Sequence, residues 1–266
     1  MRVHLITAQK VKPEYINYGM YETLCRGLSD HGKATIVDTN PDIVHIFGLW
    51  NRHYANVAAK YAKRGIPVVF TSLDGLPQLM RMYRKPMSTC RIRRITRVAA
   101  VTQVCGATEE GIVRRIDSKA QCEIIRNPSY TTLTSAEELL TSIEHLYVKV
   151  VDEHDKKIRS GISNRVAALH GCDDAMKEIC SQMLYLKYLL HRGSIPKGFI
   201  TNLASTLTAT DYDEDKMAAT MKRLGTYKMS ARAMQVMGDL GILTEGFMPM
   251  PPIADGRTTT MKQCIV

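Results

Sequence analysis

The stretch Asp42–Leu76, DIVHIFGLWNRHYANVAAKYAKRGIPVVFTSLDGL, decides the fold of this chain. It begins with a short apolar run, Ile43–Phe47, as expected of a strand that is covered on both faces. Apolar residues at helical spacing follow, and Gly65 ends that helix before a second apolar run, VVFT. Parallel strands joined by a helix form a crossover unit, and ligands bind beyond the carboxyl ends of such strands. We therefore expect a binding site at Gly48–His53 and Ser72–Gly75.

Strands and helices alternate through the first 130 residues. The predicted strands are Arg2–Thr7, Thr35–Asp38, Ile43–Phe47, Val68–Thr71, Arg97–Thr102 and Cys122–Arg126. The predicted helices are Gly19–His31, His53–Arg64 and Thr108–Ile116. Such alternation is typical of a parallel sheet with helices on both faces. The predicted fold class is thus α/β, a Rossmann-like parallel sheet with helices on both faces, followed by an all-α helical domain.

The pattern changes near Pro128, and from Ser135 onward the sequence predicts helices alone. Apolar residues at Leu139, Ile143, Leu146 and Val150 step by one helical turn, and later segments rich in methionine repeat this spacing. We expect a helical domain over residues 131–248. Residues 249–266 contain prolines and a threonine run, so we expect a poorly ordered tail.

The positive charge lies in the first half of the chain. The formal net charge is +10, and residues 1–130 hold 20 Lys and Arg against 10 Asp and Glu. The segment Arg81–Arg97 contains seven of these basic residues and no acidic residue. Such a segment attracts phosphates, so it predicts peripheral contact with an anionic membrane. A solvated basic surface loop is the alternative interpretation. Nucleic acid is disfavoured, because Tyr83 is the one aromatic residue in the cluster.

Several classes of function are excluded or left without support. No G-x-G-x-x-G dinucleotide loop and no G-x-x-x-x-G-K-[ST] phosphate loop occurs. No spacing of His, Cys, Asp or Glu matches a metal site, so we expect no metal and no cofactor. The seven cysteines are odd in number and form no C-x-x-C pair, which favours reduced thiols. With no apolar leader or membrane span, the expected location is the cytoplasm, at the inner membrane face where the basic segment makes contact.

Four sequence pieces, in order along the first half, resemble the N-terminal, acceptor-side domain of glycosyltransferase family 4, which has the GT-B architecture. The pieces are Tyr18–Leu24 with Leu28 and His31-Gly32, then Asp42–Trp50, then Gly65–Thr71, and finally Val98–Thr102 with Ile124–Pro128. The second piece resembles the family pattern D-h-h-H-h-H-G-h-W. This resemblance implies sugar transfer from a nucleotide sugar to a polysaccharide or lipid-linked acceptor.

The chain also departs from the family pattern. Phe47 replaces the second histidine of the strand, and Leu73-Asp74 stands where the family places a histidine near the acceptor. The donor-side Glu-x7-Glu pair does not occur in the second half. The alternative function is therefore a non-catalytic acceptor-binding or scaffold relative that needs a separate donor-domain partner.

The candidate site residues follow from the strand ends and the resemblance. Asp74 is the candidate catalytic residue, since its carboxylate can orient or deprotonate an acceptor hydroxyl. The candidate residues for binding a sugar or lipid-linked sugar acceptor are Gly19, Gly48, Trp50, Asn51, Arg52, His53 and Ser72. Gly19 allows close backbone approach, the Trp50 ring offers a stacking surface, and the polar side chains offer hydrogen bonds. For each residue, a purely structural role is the alternative.

Overall fold

The computed structural model describes residues 1–7, 14–128 and 135–266, except for the Pro86 side chain. The strands are β1 Arg2–Ile6, β2 Thr35–Ile36, β3 Ile43–Gly48, β4 Val68–Ser72, β5 Val101–Val104 and β6 Cys122–Ile124. The helices between them are α1 Tyr18–Gly27, α2 Arg52–Lys63, α3 Gly75–Tyr83, α4 Pro86–Thr96 and α5 Ala107–Ile116. The later helices are α6 Ala136–Ala167, α7 Asp174–Arg192, α8 Lys197–Ala209, α9 Glu214–Arg223, α10 Tyr227–Asp239 and α11 Gly256–Gln263.

The six strands form one parallel sheet in the order β2-β1-β3-β4-β5-β6. Side chains alternate between its faces, as the period of a strand requires. On β3, Ile43 and Phe47 pack in a core with α1 and the first half of α6. Val44 and Ile46 face the opposite way, into a core with α2 to α5. The predicted fold class, a Rossmann-like sheet with helices on both faces followed by helices, is confirmed.

The chain divides into two compact units, Met1–Asp155 and Lys156–Val266, and the division falls within α6. The prediction placed this boundary at residue 130 instead. The difference arises because the apolar stripe from Leu139 to Val150 is buried in the same core as Val3 and Val69 of the sheet. The first half of α6 is therefore part of the sheet unit, which needs that stripe to cover one face.

The unit Lys156–Val266 is built from helices around a core rich in methionine. Its buried methionines are Met176, Met183, Met217, Met221, Met234, Met237, Met248, Met250 and Met261. The structure differs from the prediction of a poorly ordered tail. Asp255 caps α11, and its carboxylate accepts from Arg232 at 2.7 Å. The Ile195 amide also donates to the Cys264 carbonyl at 2.7 Å, so the final residues are held by hydrogen bonds as well as by packing.

The largest local difference from the sequence prediction is the segment between β4 and β5. It forms two helices, α3 and α4, where the sequence predicted none, and β5 begins at Val101 rather than at Arg97. The helical spacing of the buried residues Leu79, Met82, Ile92 and Ile95 was not recognised, because arginines interrupt the apolar pattern every few residues.

In the described parts of the chain, no helix is both long and apolar enough to cross a membrane.

A chain of buried hydrogen bonds crosses the sheet unit from α6 to β5. The Gln103 amide nitrogen donates to the Ile125 carbonyl at 2.7 Å, so its oxygen accepts from the Thr71 hydroxyl at 2.6 Å. Thr71 Oγ1 must then accept from His45 Nε2, 2.7 Å away, and His45 Nδ1 accepts from the Tyr147 hydroxyl at 2.7 Å. This order fixes His45 as the neutral Nε2–H tautomer. Burial lowers the pKa of His45 to about 3.

The His45 imidazole should make the free energy of unfolding depend on pH. Its pKa is about 3 when folded against an ordinary 6.5, so below pH 6.5 the unfolded chain binds a proton that the folded chain does not. The free energy of unfolding should therefore fall by up to about 1.36 kcal/mol per pH unit as the pH drops toward 3. The slope should be smaller in His45→Leu, measured by urea unfolding followed by the fluorescence of Trp50, the one tryptophan. His53→Gln, at an exposed site, is the control, and equal slopes in all three proteins would contradict the assignment.

Gly48 lies against the ring of Tyr54. A Cβ at Gly48 would come within 2.7 Å of that ring, whereas one at Gly111 in α5 would meet nothing within 4 Å. Gly48→Ala should therefore lower the free energy of unfolding by about 1–3 kcal/mol through overpacking. Gly111→Ala, the matched control, should raise it by about 0.5–1 kcal/mol through helix propensity. Urea midpoints measure both changes. An unchanged midpoint for Gly48→Ala would contradict the prediction, because it would show that the Tyr54 ring moves aside.

Candidate functional site

A pocket of about 430 Å³ opens at the carboxyl edge of the sheet, where β4, β5 and β6 end. Its lining residues come from the start of α1, the start of α3, the β5–α5 turn and the end of β6: Ile16, Leu76, Pro77, Cys105, Gly106, Thr108, Glu109, Arg126 and Asn127. This volume lies in the range of small-molecule sites, about 300–1,000 Å³. The position is also the usual one for ligands of open parallel sheets.

The buried side chain of Asn17 joins the strand ends beneath this pocket. Its Nδ2 donates to the Ser72 carbonyl at 2.7 Å. Its Oδ1 accepts from Asn127 Nδ2 at 2.9 Å and from the Cys105 thiol at 3.2 Å. The Asn17 backbone amide also donates to the Leu73 carbonyl at 2.9 Å. One amide side chain, 1% exposed, thus connects the residues that end or follow β4, β5 and β6.

Glu109 is the one carboxylate among the described residues that line the pocket. It stands in the first turn of α5, where negative charge is favoured. Its Oε2 accepts from the Cys105 amide at 2.6 Å. Burial raises the pKa of Glu109, and hydrogen bonds from the backbone of Cys105 and Leu76 oppose the rise. Because these amides hold the carboxylate, Glu109 fixes the β5–α5 turn against the start of α3.

Gly75 makes the close approach of Glu109 to α3 feasible. Its φ is +49°, in the left-handed region that favours glycine. A Cβ there would also come within 2.9 Å of Glu109 Oε1. Gly75 is therefore a structural requirement of the α3 start and of the adjoining pocket wall.

Arg126 and Thr108 supply polar groups at the mouth of the pocket. Both residues are exposed, and no carboxylate in the described parts of the chain is in ion-pair contact with Arg126. The first turn of α5 adds amides at the same edge, since the N-cap residue is Gly106, which has no side chain that could cap them. Hydroxyl or anionic groups of a ligand would find donors in these groups, and its apolar parts would find contacts with Ile16, Leu76 and Pro77.

The candidate residues at the end of β3 have structural contacts. Trp50 is only 2% exposed, and its ring packs on Phe70 with centroids 4.6 Å apart. A ring buried in this way does not present the open face that sugar stacking needs. Gly48 is buried, and its missing side chain makes room for the Tyr54 ring. Both residues shape the core beneath the α2 start.

The other candidates near helix starts are more open. Asn51 caps α2 by accepting from the Tyr54 amide at 3.1 Å. Arg52 and His53 are exposed on the first turn of α2. Gly19 lies in the first turn of α1, where its carbonyl accepts from the Thr23 hydroxyl at 2.9 Å. None of these four is among the residues that line the pocket.

Ser72 and Asp74 lie at the end of β4. The Ser72 hydroxyl donates to Gln78 Oε1 at 3.3 Å, and the Trp50 amide donates to the same oxygen at 3.3 Å. Asp74 occupies the N-cap position of α3 and forms an ion pair with Arg81. Its side chain is 20% exposed, so the carboxylate remains accessible from solvent. Neither Ser72 nor Asp74 is among the residues that line the pocket; Ser72 is connected to it only through its carbonyl, which accepts from Asn17.

Sequence reasoning missed the polar residues that line the pocket, namely Cys105, Glu109, Arg126 and Asn127, and also Asn17 beneath them. A signal existed for Arg126 and Asn127, which belong to the fourth piece of the family resemblance. For Glu109, the signal was its position three residues after Gly106, at the start of a predicted helix that follows a strand. Asn17 gave no signal, because its partners are 55 to 110 residues away in the chain.

Removal of the Asn17 side chain should destabilise the sheet unit. Asn17→Ala removes the donor to the Ser72 carbonyl and one of the acceptors of the Asn127 amide in a buried site, while Asn127 Nδ2 still donates to the Ile16 carbonyl. We expect the free energy of unfolding to fall by about 3 kcal/mol. Asn56→Ala, at an exposed site on α2, should change it by less than about 0.5 kcal/mol. Urea unfolding followed by Trp50 fluorescence measures both, and equal midpoints would contradict the role given to Asn17.

Comparisons of the chain with known protein families, with curated proteins and with solved structures found no match in any of the three.

Proposed function

We propose that this chain supplies the acceptor side of a glycosyltransferase family 4-like sugar transfer, from a nucleotide sugar to a polysaccharide or lipid-linked acceptor. The observation that carries the proposal is the pocket at the carboxyl ends of β4, β5 and β6. In the family that the sequence resembles, the N-terminal parallel-sheet domain holds the acceptor. The sheet and its helices on both faces agree with that architecture at the level of fold.

The chemistry of the pocket suits a sugar. A sugar ring combines hydroxyl groups with apolar C–H faces, and the pocket combines Arg126, Thr108 and the α5 amides with the side chains of Leu76 and Pro77. A volume of about 430 Å³ accommodates one or two sugar rings. The fixed positions of Glu109 and Asn127 support the proposal, since preorganised groups lower the cost of ordering on binding.

Transfer also needs groups that bind the nucleotide diphosphate and stabilise its developing charge. The described residues of the unit Lys156–Val266 form helices and no second parallel sheet. This observation favours the version of the proposal in which a donor-domain protein supplies those groups. In that version, the chain binds the acceptor by itself and transfers sugar only together with the donor-side partner.

Asp74 is the residue that we propose for orienting or deprotonating the acceptor hydroxyl. It follows β4 at the carboxyl edge of the sheet, and Arg81 holds its carboxylate. General-base catalysis contributes about 10²–10⁴-fold, so Asp74→Asn should lower transfer by a factor in that range while acceptor binding persists. Arg52 and His53, exposed beside this edge, are the proposed additional contacts to a longer acceptor.

Isothermal titration tests the proposal directly. The intact chain is titrated with a panel of uridine and guanosine diphosphate sugars and of methyl glycosides, alone and with proteins encoded beside it. We expect at least one glycoside to bind, and Arg126→Ser to weaken that binding about tenfold or more, because a hydrogen bond from a charged group contributes about 1.5–3 kcal/mol.

The matched control is Arg115→Ser, an exposed arginine of α5 outside the pocket, which should leave the affinity unchanged. Absence of binding across the whole panel, alone and with partners, would contradict the proposal. Equal losses in both arginine variants would place the sugar elsewhere on the molecule.

A further inference from the structure

The helices α3 and α4 expose large apolar side chains. Met87 is 80% exposed, Met80 is 51% exposed and Tyr83 is 38% exposed. All three lie within eight residues of one another, around the turn that joins the two helices. Single exposed apolar residues are ordinary on protein surfaces, but a cluster indicates an interaction site.

Exposed basic residues alternate with these apolar residues along α3 and α4. Arg84, Lys85 and Arg91 are exposed, and no described carboxylate forms an ion pair with them. The chain has no acidic residue between Asp74 and Glu109. Arg81 differs because it pairs with Asp74. Arg93 differs as well, since its Nε donates to the Ile116 carbonyl at 2.7 Å. Arg81 and Arg93 are therefore not part of the surface defined next. We call Met80, Tyr83, Arg84, Lys85, Met87 and Arg91 the hairpin surface.

Both helices turn the hairpin surface away from the protein core. Leu79 and Met82 of α3 pack in the same buried cluster as Ile92 and Ile95 of α4. Residues spaced by four lie on one face of a helix, which places Met87 beside Arg91 on the exposed side of α4. The apolar and basic side chains of both helices are thus exposed to solvent at this turn.

We propose that the hairpin surface docks on the anionic face of a lipid bilayer. The long methionine side chains and the Tyr83 ring enter the boundary between headgroups and acyl chains, as in interfacial helices. The arginine and lysine stems lie along the same boundary, with their charges among the lipid phosphates. Each basic residue near such a surface contributes about 1 kcal/mol of attraction.

The combination of charges and methionines favours lipid over other anionic partners. Duplex or single-stranded nucleic acid would use the charges but would leave Met80 and Met87 in water, and Tyr83 alone provides no series of stacking platforms. An acidic protein would need a matching surface for two exposed methionines. A bilayer uses the basic and the apolar side chains at the same time, and the proposal does not depend on what the pocket at the ends of β4, β5 and β6 binds.

Cosedimentation with vesicles tests the proposal on the full chain. We expect binding to phosphatidylcholine vesicles that contain phosphatidylglycerol, little binding to phosphatidylcholine alone, and weakening with salt. The double variant Arg84→Ser, Lys85→Ser should lose about 30-fold in affinity for the mixed vesicles. The charge-matched control, Lys197→Ser with Lys216→Ser at exposed sites of the helical unit, should lose much less.

A second variant tests the apolar part. Met80→Ser with Met87→Ser should lower the affinity for mixed vesicles about tenfold, because the inserted methyl and sulfur groups no longer leave water. The midpoint of urea unfolding, followed by Trp50 fluorescence, must match that of the parent chain. Equal binding to both kinds of vesicle, no binding at all, or unchanged binding of the methionine variant would overturn the proposal. So would equally tight binding to heparin at physiological salt.

Discussion

The hydrogen bonds of one buried amide, Asn17, determine the shape of the sheet's carboxyl edge. Three separate strand ends meet its side chain, through the Ser72 carbonyl, the Cys105 thiol and the Asn127 amide. In a site that excludes water, the loss of any of these hydrogen bonds would destabilise the folded state. The strand ends are therefore fixed relative to one another, and the pocket above them has a defined floor.

This constraint continues into the core of the sheet unit. The chain from Tyr147 through His45 and Thr71 to Gln103 ends at the Ile125 carbonyl, two residues before Asn127. A buried network of this kind is stable only when every member has a partner. The first half of α6 supplies Tyr147, which explains why that half packs with the sheet and why the unit boundary lies near residue 155.

The sequence predicted those parts of the fold that depend on local spacing. The β3–α2–β4 crossover, the sheet class and the helical second half all follow from apolar periods of two or 3.6 residues. The helices α3 and α4 were missed because their basic faces mask that period. The ordered tail was missed because its stability comes from contacts of Asp255 and Met261 with distant helices.

The candidate site was harder to predict for the same reason. A parallel sheet brings together residues that follow different strands, so Asn17, Glu109 and Asn127 meet although they are far apart in sequence. Sequence reasoning placed the site at the ends of β3 and β4, at Gly48–His53 and Ser72–Gly75, and took most of its candidates from the motif around Trp50. It could not show that the Trp50 ring packs against Phe70. The pocket and the predicted site share the end of β4, and the pocket extends from there to the ends of β5 and β6 rather than to that of β3.

The central claim is that a sugar binds at the ends of β4, β5 and β6. The most direct measurement is the change in backbone amide NMR shifts when the methyl glycoside panel is added to the intact chain. The account predicts that the largest changes fall at residues 105–109 and at Arg126 and Asn127. Changes confined to Trp50–His53, or to the unit Lys156–Val266, would contradict it.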